Sequence, residues 1–134
     1  MEMKFLDRYR DLGLLILRIG IGGMFVFHGT PKIIGGPAMW EKLGGAVHAL
    51  NITFLPTIFW GFMAAFSECF GGIFLALGIF FRPACILMAI TMVVATSQHL
   101  LVNGDSFGVA SHAIESGILF ISLVLIGPGK YTVR

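Results

Sequence analysis

Apolar residues fall in four long blocks, and polar residues gather between them in short, turn-forming clusters. The first block begins near Leu12 (LGLLILRIGIGGMFVFHGT) and meets Pro31 and then the Gly35–Gly36–Pro37 break. The second runs from Pro56 to Phe80 (PTIFWGFMAAFSECFGGIFLALGIF). A third opens at Pro83, a good first-turn residue because its missing N–H has no partner there, and continues to Val102. After the tight turn Asn103–Gly104–Asp105, the fourth runs from Phe107 to Ile126 and stops at Gly127–Pro128–Gly129. Each block is long enough for an α-helix to cross the hydrocarbon core of a bilayer. The pattern predicts spans over 12–30, 56–80, 83–102 and 107–126.

The longest connection, Gly35 to Leu55, has its own periodicity. Met39, Leu43, Val47 and Leu50 recur at helical spacing, while Glu41, Lys42 and His48 face elsewhere. That predicts an amphipathic segment over 38–50 on the outer leaflet, which either caps the bundle or lies on the surface as a loop.

Composition agrees with the four blocks. Of 134 residues, 57% are hydrophobic and 12% charged, and mean hydropathy is +0.91. Soluble domains carry about 25% charged residues, so the charged shell is missing. The expectation is an all-α protein: an integral membrane four-helix bundle, with 1–134 as one domain and the lipid bilayer as its main partner. A formal charge of +2 without a basic run argues against nucleic acid. Cys69 and Cys85 lie in apolar segments and do not form a C-x-x-C pair, which makes a dithiol relay a poor fit. The N-terminal run has no A-x-A-like cleavage site and contains Arg18, so it reads as a retained first span.

Basic residues orient the bundle. Lys4, Arg8, Arg10, Arg82, Lys130 and Arg134 fall on one side, against Lys32 and Lys42 on the other. The positive-inside rule then places both termini in the cytoplasm, in an inner (plasma) membrane. Tyr9 and Tyr131 mark the inner interface, Trp40 and Trp60 the outer.

Charged residues inside the spans are the main chemical signal. Each costs about 2.5–3.5 kcal/mol at the bilayer centre, so such groups are rare and face the bundle interior. Counted at 1.5 Å per residue from the cytoplasmic end, Arg18 lies ~9 Å deep, Glu68 and Glu115 ~16–18 Å, and His28, His99 and His112 ~21–24 Å. Every helix therefore contributes to one polar layer in the outer half of the membrane.

Helical faces sharpen that layer. Gly61, Ala65, Glu68, Gly72 and Ala76 form a small-residue stripe that should turn Glu68 toward a neighbouring helix. Arg18, Gly22, Phe25 and Gly29 share a stripe in the first span, and His112 and Glu115 share a face in the fourth. Cys85, Met88, Met92, Ala95 and His99 align in the third, which reads as a packing seam rather than a copper path.

Three readings of the layer remain open. In a packing reading, Arg18 pairs with Glu68 or Glu115 and the histidines hydrogen-bond inside the bundle. In a metal reading, His28, Glu68, His99, His112 and Glu115 are candidate ligands, their N and O donors suiting zinc, iron or copper. In a quinone reading, the same groups exchange protons with a quinone head while its tail lies between helices.

The motifs also resemble a family. LLILRIGIGGMFVFHGTPKI, with its L-L-x-L-R pattern and closing H-G-x-x-K, is similar to the first span of the DoxX family. SECFGGIFLALGIFFRPAC resembles that family's second span and its G-[IL]-F-x-R corner. His99, Glu115 and the terminal GPGKYTV extend the match over nearly the whole chain. The resemblance implies a four-helix inner-membrane protein associated with quinone-linked sulfur oxidation, as a subunit of thiosulfate:quinone oxidoreductase or a related membrane redox complex. It carries over Arg18, His28, Lys32, Glu68, Arg82, His99 and Glu115, whereas His112 is added by helical spacing alone.

The expected function is a quinone-interacting subunit of an oxidoreductase complex. Glu68, Glu115 and His99 would be its catalytic groups, with Arg18, His28, Lys32 and His112 around the cofactor. A non-enzymatic partner or small-solute module is the alternative, and an intramembrane metal-binding bundle ranks below it. Quinone is the expected cofactor and a metal ion stays open; no glycine-rich NAD or FAD loop and no C-x-x-C-H haem site occurs in the chain. Redox partner subunits and self-association are both compatible with this reading.

Overall fold

The computed structural model describes residues 2–133; Arg134, counted above among the inner basic residues, lies outside them. Helix α1 spans Arg10–Ile34, α2 Gly36–Gly44, α3 Thr57–Leu77, α4 Phe81–Ser97 and α5 Phe107–Ile126. A 3-10 turn over Lys4–Tyr9 precedes α1, and another over Gly45–Leu50 extends α2. Four helical stretches are long and apolar enough to cross a membrane: Lys4–Ile34, Thr57–Leu77, Phe81–Val102 and Phe107–Ile126. The chain is an all-α membrane bundle with both ends of the described chain at its basic end.

The helices pack in the order α1, α3, α4, α5, with α2 laid over the start of α3. Hydrophobicity does not drive helices together in lipid, so close approach has to come from small residues. Glycines supply it at the α1–α3 seam. A Cβ on Gly22 would lie 3.0 Å from the Ala76 nitrogen, and one on Gly29 2.8 Å from the Cys69 Cα. At its other end the same α3 stripe receives α2: a Cβ on Gly61 would collide with the Trp40 backbone, and one on Gly44 with Thr57. The 38–50 segment therefore packs on the bundle as a cap. It is not a detached surface loop.

Helix boundaries differ from the sequence expectation in two informative places. α1 runs through Pro31 to Ile34 instead of ending near residue 30. Pro31 removes the N–H that would bond the Phe27 carbonyl, but the helix continues past it. On either side, Thr30 Oγ1 donates to the Val26 carbonyl at 2.7 Å and the Gly35 N–H donates to the Pro31 carbonyl at 2.9 Å. The extra turn carries Lys32. α3 in turn stops at Leu77, not Phe80, because Gly78 (φ +75°) takes the left-handed conformation that lets its N–H close on the Phe74 carbonyl at 2.8 Å.

The basic end is sealed by arginines at helix C-termini, where unsatisfied carbonyls favour a cation. Arg18 Nε donates to the Leu75 carbonyl (3.1 Å) and Nη2 to Ala76 (3.0 Å), while Nη1 reaches Pro128 (2.8 Å) and Tyr131 (2.6 Å). Arg82 Nε donates to the Val124 carbonyl of α5 at 2.9 Å. The tail after α5 is held down further by the Val133 N–H on the Leu77 carbonyl and the Lys130 N–H on Asp11 Oδ1. Above this seal, Cys85, Met88, Met92, Phe25, Phe120 and Leu123 form the dry centre of the bundle. The Cys85, Met88 and Met92 part of the third-span stripe is thus a packing seam, while His99 at its end lies outside the core.

Candidate functional site

Lys32 and Glu68 form the centre of the polar layer. Lys32 Nζ donates to Glu68 Oε2 at 2.5 Å, with the carboxylate side chain 10% exposed and the lysine 32%. The contact follows from the seam below it. Gly29 rests on the backbone of Glu68 and Cys69, and Lys32 emerges one turn later on the same side of α1. Trp40 Nε1 donates to the Lys32 carbonyl at 2.9 Å and fixes α2 to that turn.

Two cavities meet at this ion pair. One, of about 280 Å³, is lined by His28, Lys32, Glu68, His99 and His112, with Phe25 and Met92 below. The other, of about 500 Å³, is lined almost entirely by apolar side chains of α2, α3 and α4, with Lys32 and Glu68 at one end. Lys32, Glu68 and Ala95 belong to both linings. The ion pair is therefore a wall with histidines on one side and hydrocarbon on the other.

The histidine cavity is open along one edge. The backbones of α1 and α5 make no close contact among the described residues. Their side chains bridge the gap low down, where the Phe25 and Phe120 rings meet edge to face at 5.0 Å between centroids. Higher up, His28 and His112 face each other at 6.2 Å and both are exposed along that edge.

His99 enters the cavity from a π-helical turn, Gln98–Val102, that continues α4. Such turns shift the helical register and re-aim side chains, and they recur at functional sites. His99 Nδ1 lies 2.7 Å from Asp105 Oδ2, and Asn103 Nδ2 donates to the same oxygen at 3.2 Å. An ionised carboxylate can only accept, so Nδ1 carries the proton and, in the neutral ring, Nε2 keeps its lone pair. The bond from His99 holds the Asp105 carboxyl below the usual carboxylate range, with Asn103 adding to it.

The layer read from sequence is thus partly assembled. His28, Lys32, Glu68, His99 and His112 come together around one cavity. Arg18 does not join them: its guanidinium bonds four backbone carbonyls at the basic end, so it pairs with neither Glu68 nor Glu115. Glu115 lies outside the cavity lining and is exposed on α5, which the α1 backbone does not approach closely. Among the described residues, no three His, Cys, Asp or Glu side chains converge closely enough to hold a metal ion. Two contacts lie beyond helical spacing: the pairing of Lys32 with Glu68 across two helices, and the bond from His99 to Asp105 across the turn.

Comparisons with known proteins agree with this architecture. The family model described as DoxX matches residues 13–104, which takes in α1 apart from its first three residues, α2 to α4, and every cavity-lining residue except those of α5. An uncharacterized protein of Haemophilus influenzae is 31% identical over 124 residues, covering 92% of this chain and 86% of its own length. No solved structure matches the chain at a significant level.

Proposed function

This chain belongs to the DoxX family of membrane proteins, and we propose that it binds a membrane-dissolved quinone as a subunit of an oxidoreductase complex, with the quinone head held at the Lys32–Glu68 wall. The observation that supports this reading is the shared wall itself. A molecule with a polar, proton-exchanging head and an apolar body needs both environments within one molecular length, and the ion pair adjoins both.

The donor set fits such a head. Lys32 Nζ has three N–H donors and uses one on Glu68, which leaves donors to orient a carbonyl oxygen. Glu68 Oε2 is held by Lys32 Nζ, and its carboxylate can accept a hydrogen bond from a hydroxyl of the reduced head. His99 Nε2, oriented through Nδ1 by Asp105, and the His28–His112 pair offer proton acceptors on the water-facing side. The quinone would supply the two-electron chemistry, and the protein's groups would position it and exchange its protons.

A direct test extracts the lipid that travels with the purified protein. Protein isolated from quinone-containing membranes should carry quinone in near-stoichiometric amount, and Glu68→Gln should carry little. Equal trace amounts in both would overturn the proposal. An oriented, water-accessible histidine cavity without any quinone would point instead to a small polar solute, the reading favoured by the exposed His28 and His112 edge.

A further inference from the structure

We infer that the apolar cavity between α2, α3 and α4 is a chain site, taking the prenyl or alkyl chain of the same ligand, which enters from the bilayer between α3 and α4. The inference rests on the quinone reading for the identity of the head, but the site is defined by the cavity alone.

The walls select for hydrocarbon. At about 500 Å³ the cavity falls within the range of ordinary small-molecule sites. Away from Lys32 and Glu68, the polar atoms on its wall are already engaged. Thr91 Oγ1 donates to Ser67 Oγ (3.0 Å) and lies 2.9 Å from the Leu87 carbonyl, and Trp60 Nε1 donates to the Phe54 carbonyl at 3.1 Å. What remains on the surface is methyl, methylene and ring, with no free group to reward a polar occupant.

Shape and direction point the same way. Phe59 to Glu68 covers nine helical steps of α3, about 14 Å along the helix axis. The charged pair closes one end of that length, while Phe59 and Ile90 are exposed on the flanking helices. A ligand lying there would meet Lys32 with one end and extend its apolar body along α3 toward lipid. The histidine cavity then stays on the far side of the wall, available to water and protons. Leu55, in the left-handed region at φ +70° and adjoining Pro56, holds the 51–56 connection over the outer part of the cavity. Few non-glycine residues adopt that conformation.

The experiment uses the intact protein in nanodiscs and a 1,4-benzoquinone whose decyl chain ends in a diazirine. After irradiation, the labelled peptides are mapped. Labelling should concentrate on the cavity stretches of α3 and α4 around Phe59, Ala64, Ile90 and Val94. Excess unlabelled decyl-quinone should remove it, and the chainless quinone should not. Ala64→Phe, which narrows the cavity one helical turn from Glu68, should reduce it to background. Labelling spread over outward positions such as Phe27 and Leu125, or equal competition by the chainless quinone, would overturn the inference. If a headless decyl chain competes as well as decyl-quinone, and Glu68→Gln changes nothing, the chain site stands and the quinone reading falls.

Discussion

Lys32 Nζ binds Glu68 Oε2 one turn beyond the point where Gly29 of α1 rests on the backbone of Cys69 in α3. The pair owes its geometry to that glycine, and both sides of it can be tested by substitution. Lys32→Met leaves a largely buried carboxylate without its cation. Breaking a buried pair costs about 3–5 kcal/mol, and the partial exposure of Lys32 puts this case toward the lower end. Lys32→Met combined with Glu68→Met should recover most of the loss, since apolar replacement of both partners is often neutral. Thermal unfolding in detergent of the two single variants and the double measures this directly.

Gly29→Ala should lower stability by about 1–3 kcal/mol, the usual cost of overpacking, because its Cβ would press on α3 backbone that cannot move aside. Gly20→Ala provides the contrast. Nothing lies within 4 Å of a Cβ at Gly20, and a helix gains slightly from losing a glycine. The melting temperature should fall for the first and hold or rise for the second.

Arg18→Lys separates sealing from binding. A lysine cannot reproduce the fork that reaches Leu75, Ala76, Pro128 and Tyr131 together, and each charge-assisted bond lost costs about 1.5–3 kcal/mol. The variant should melt earlier, with faster hydrogen exchange in the tail after α5. Quinone affinity of the folded fraction should match the wild type, since Arg18 lies outside both cavities.

These contacts show what the sequence could and could not convey. The four spans were legible because hydrocarbon thickness imposes a length, and the buried α1 stripe of Arg18, Gly22, Phe25 and Gly29 matches the face read from helical spacing. Helical wheels treat each span alone, however. They placed Arg18 in a shared layer, but a long side chain reaches whichever helix end offers open carbonyls. They turned Glu115 inward with His112, but the α1–α5 gap leaves that edge of α5 uncovered. The Lys32–Glu68 pair depended on α1 continuing through Pro31, which a proline argues against. Asp105 lies six residues after His99 across a π turn and a loop, beyond the reach of a regular 3.6-residue period.

Acid should loosen the His99 turn. The Asp105 carboxyl is held below its ordinary value, near 3.9, by His99 and Asn103. Its contribution is therefore fully present above that ordinary value and is lost as the pH falls through the lower, folded one. Protection of Gln98–Val102 against hydrogen exchange, taken relative to the intrinsic amide rate at each pH, should fall in the wild type as the pH drops below the ordinary carboxyl value. Asp105→Asn should show low protection already at neutral pH, with no further loss in acid. A wild-type profile as flat as that of the variant would contradict the assigned contact.

The wall between the two cavities is tested most directly by quinone affinity in nanodiscs, measured by titration for the wild type, Glu68→Gln, Lys32→Met and Glu115→Gln. The account predicts saturable binding by the wild type and unchanged affinity for Glu115→Gln, with a loss of about tenfold or more, equivalent to about 1.4 kcal/mol, for each wall variant. Unchanged affinity in Glu68→Gln and Lys32→Met, or a loss confined to Glu115→Gln, would contradict it.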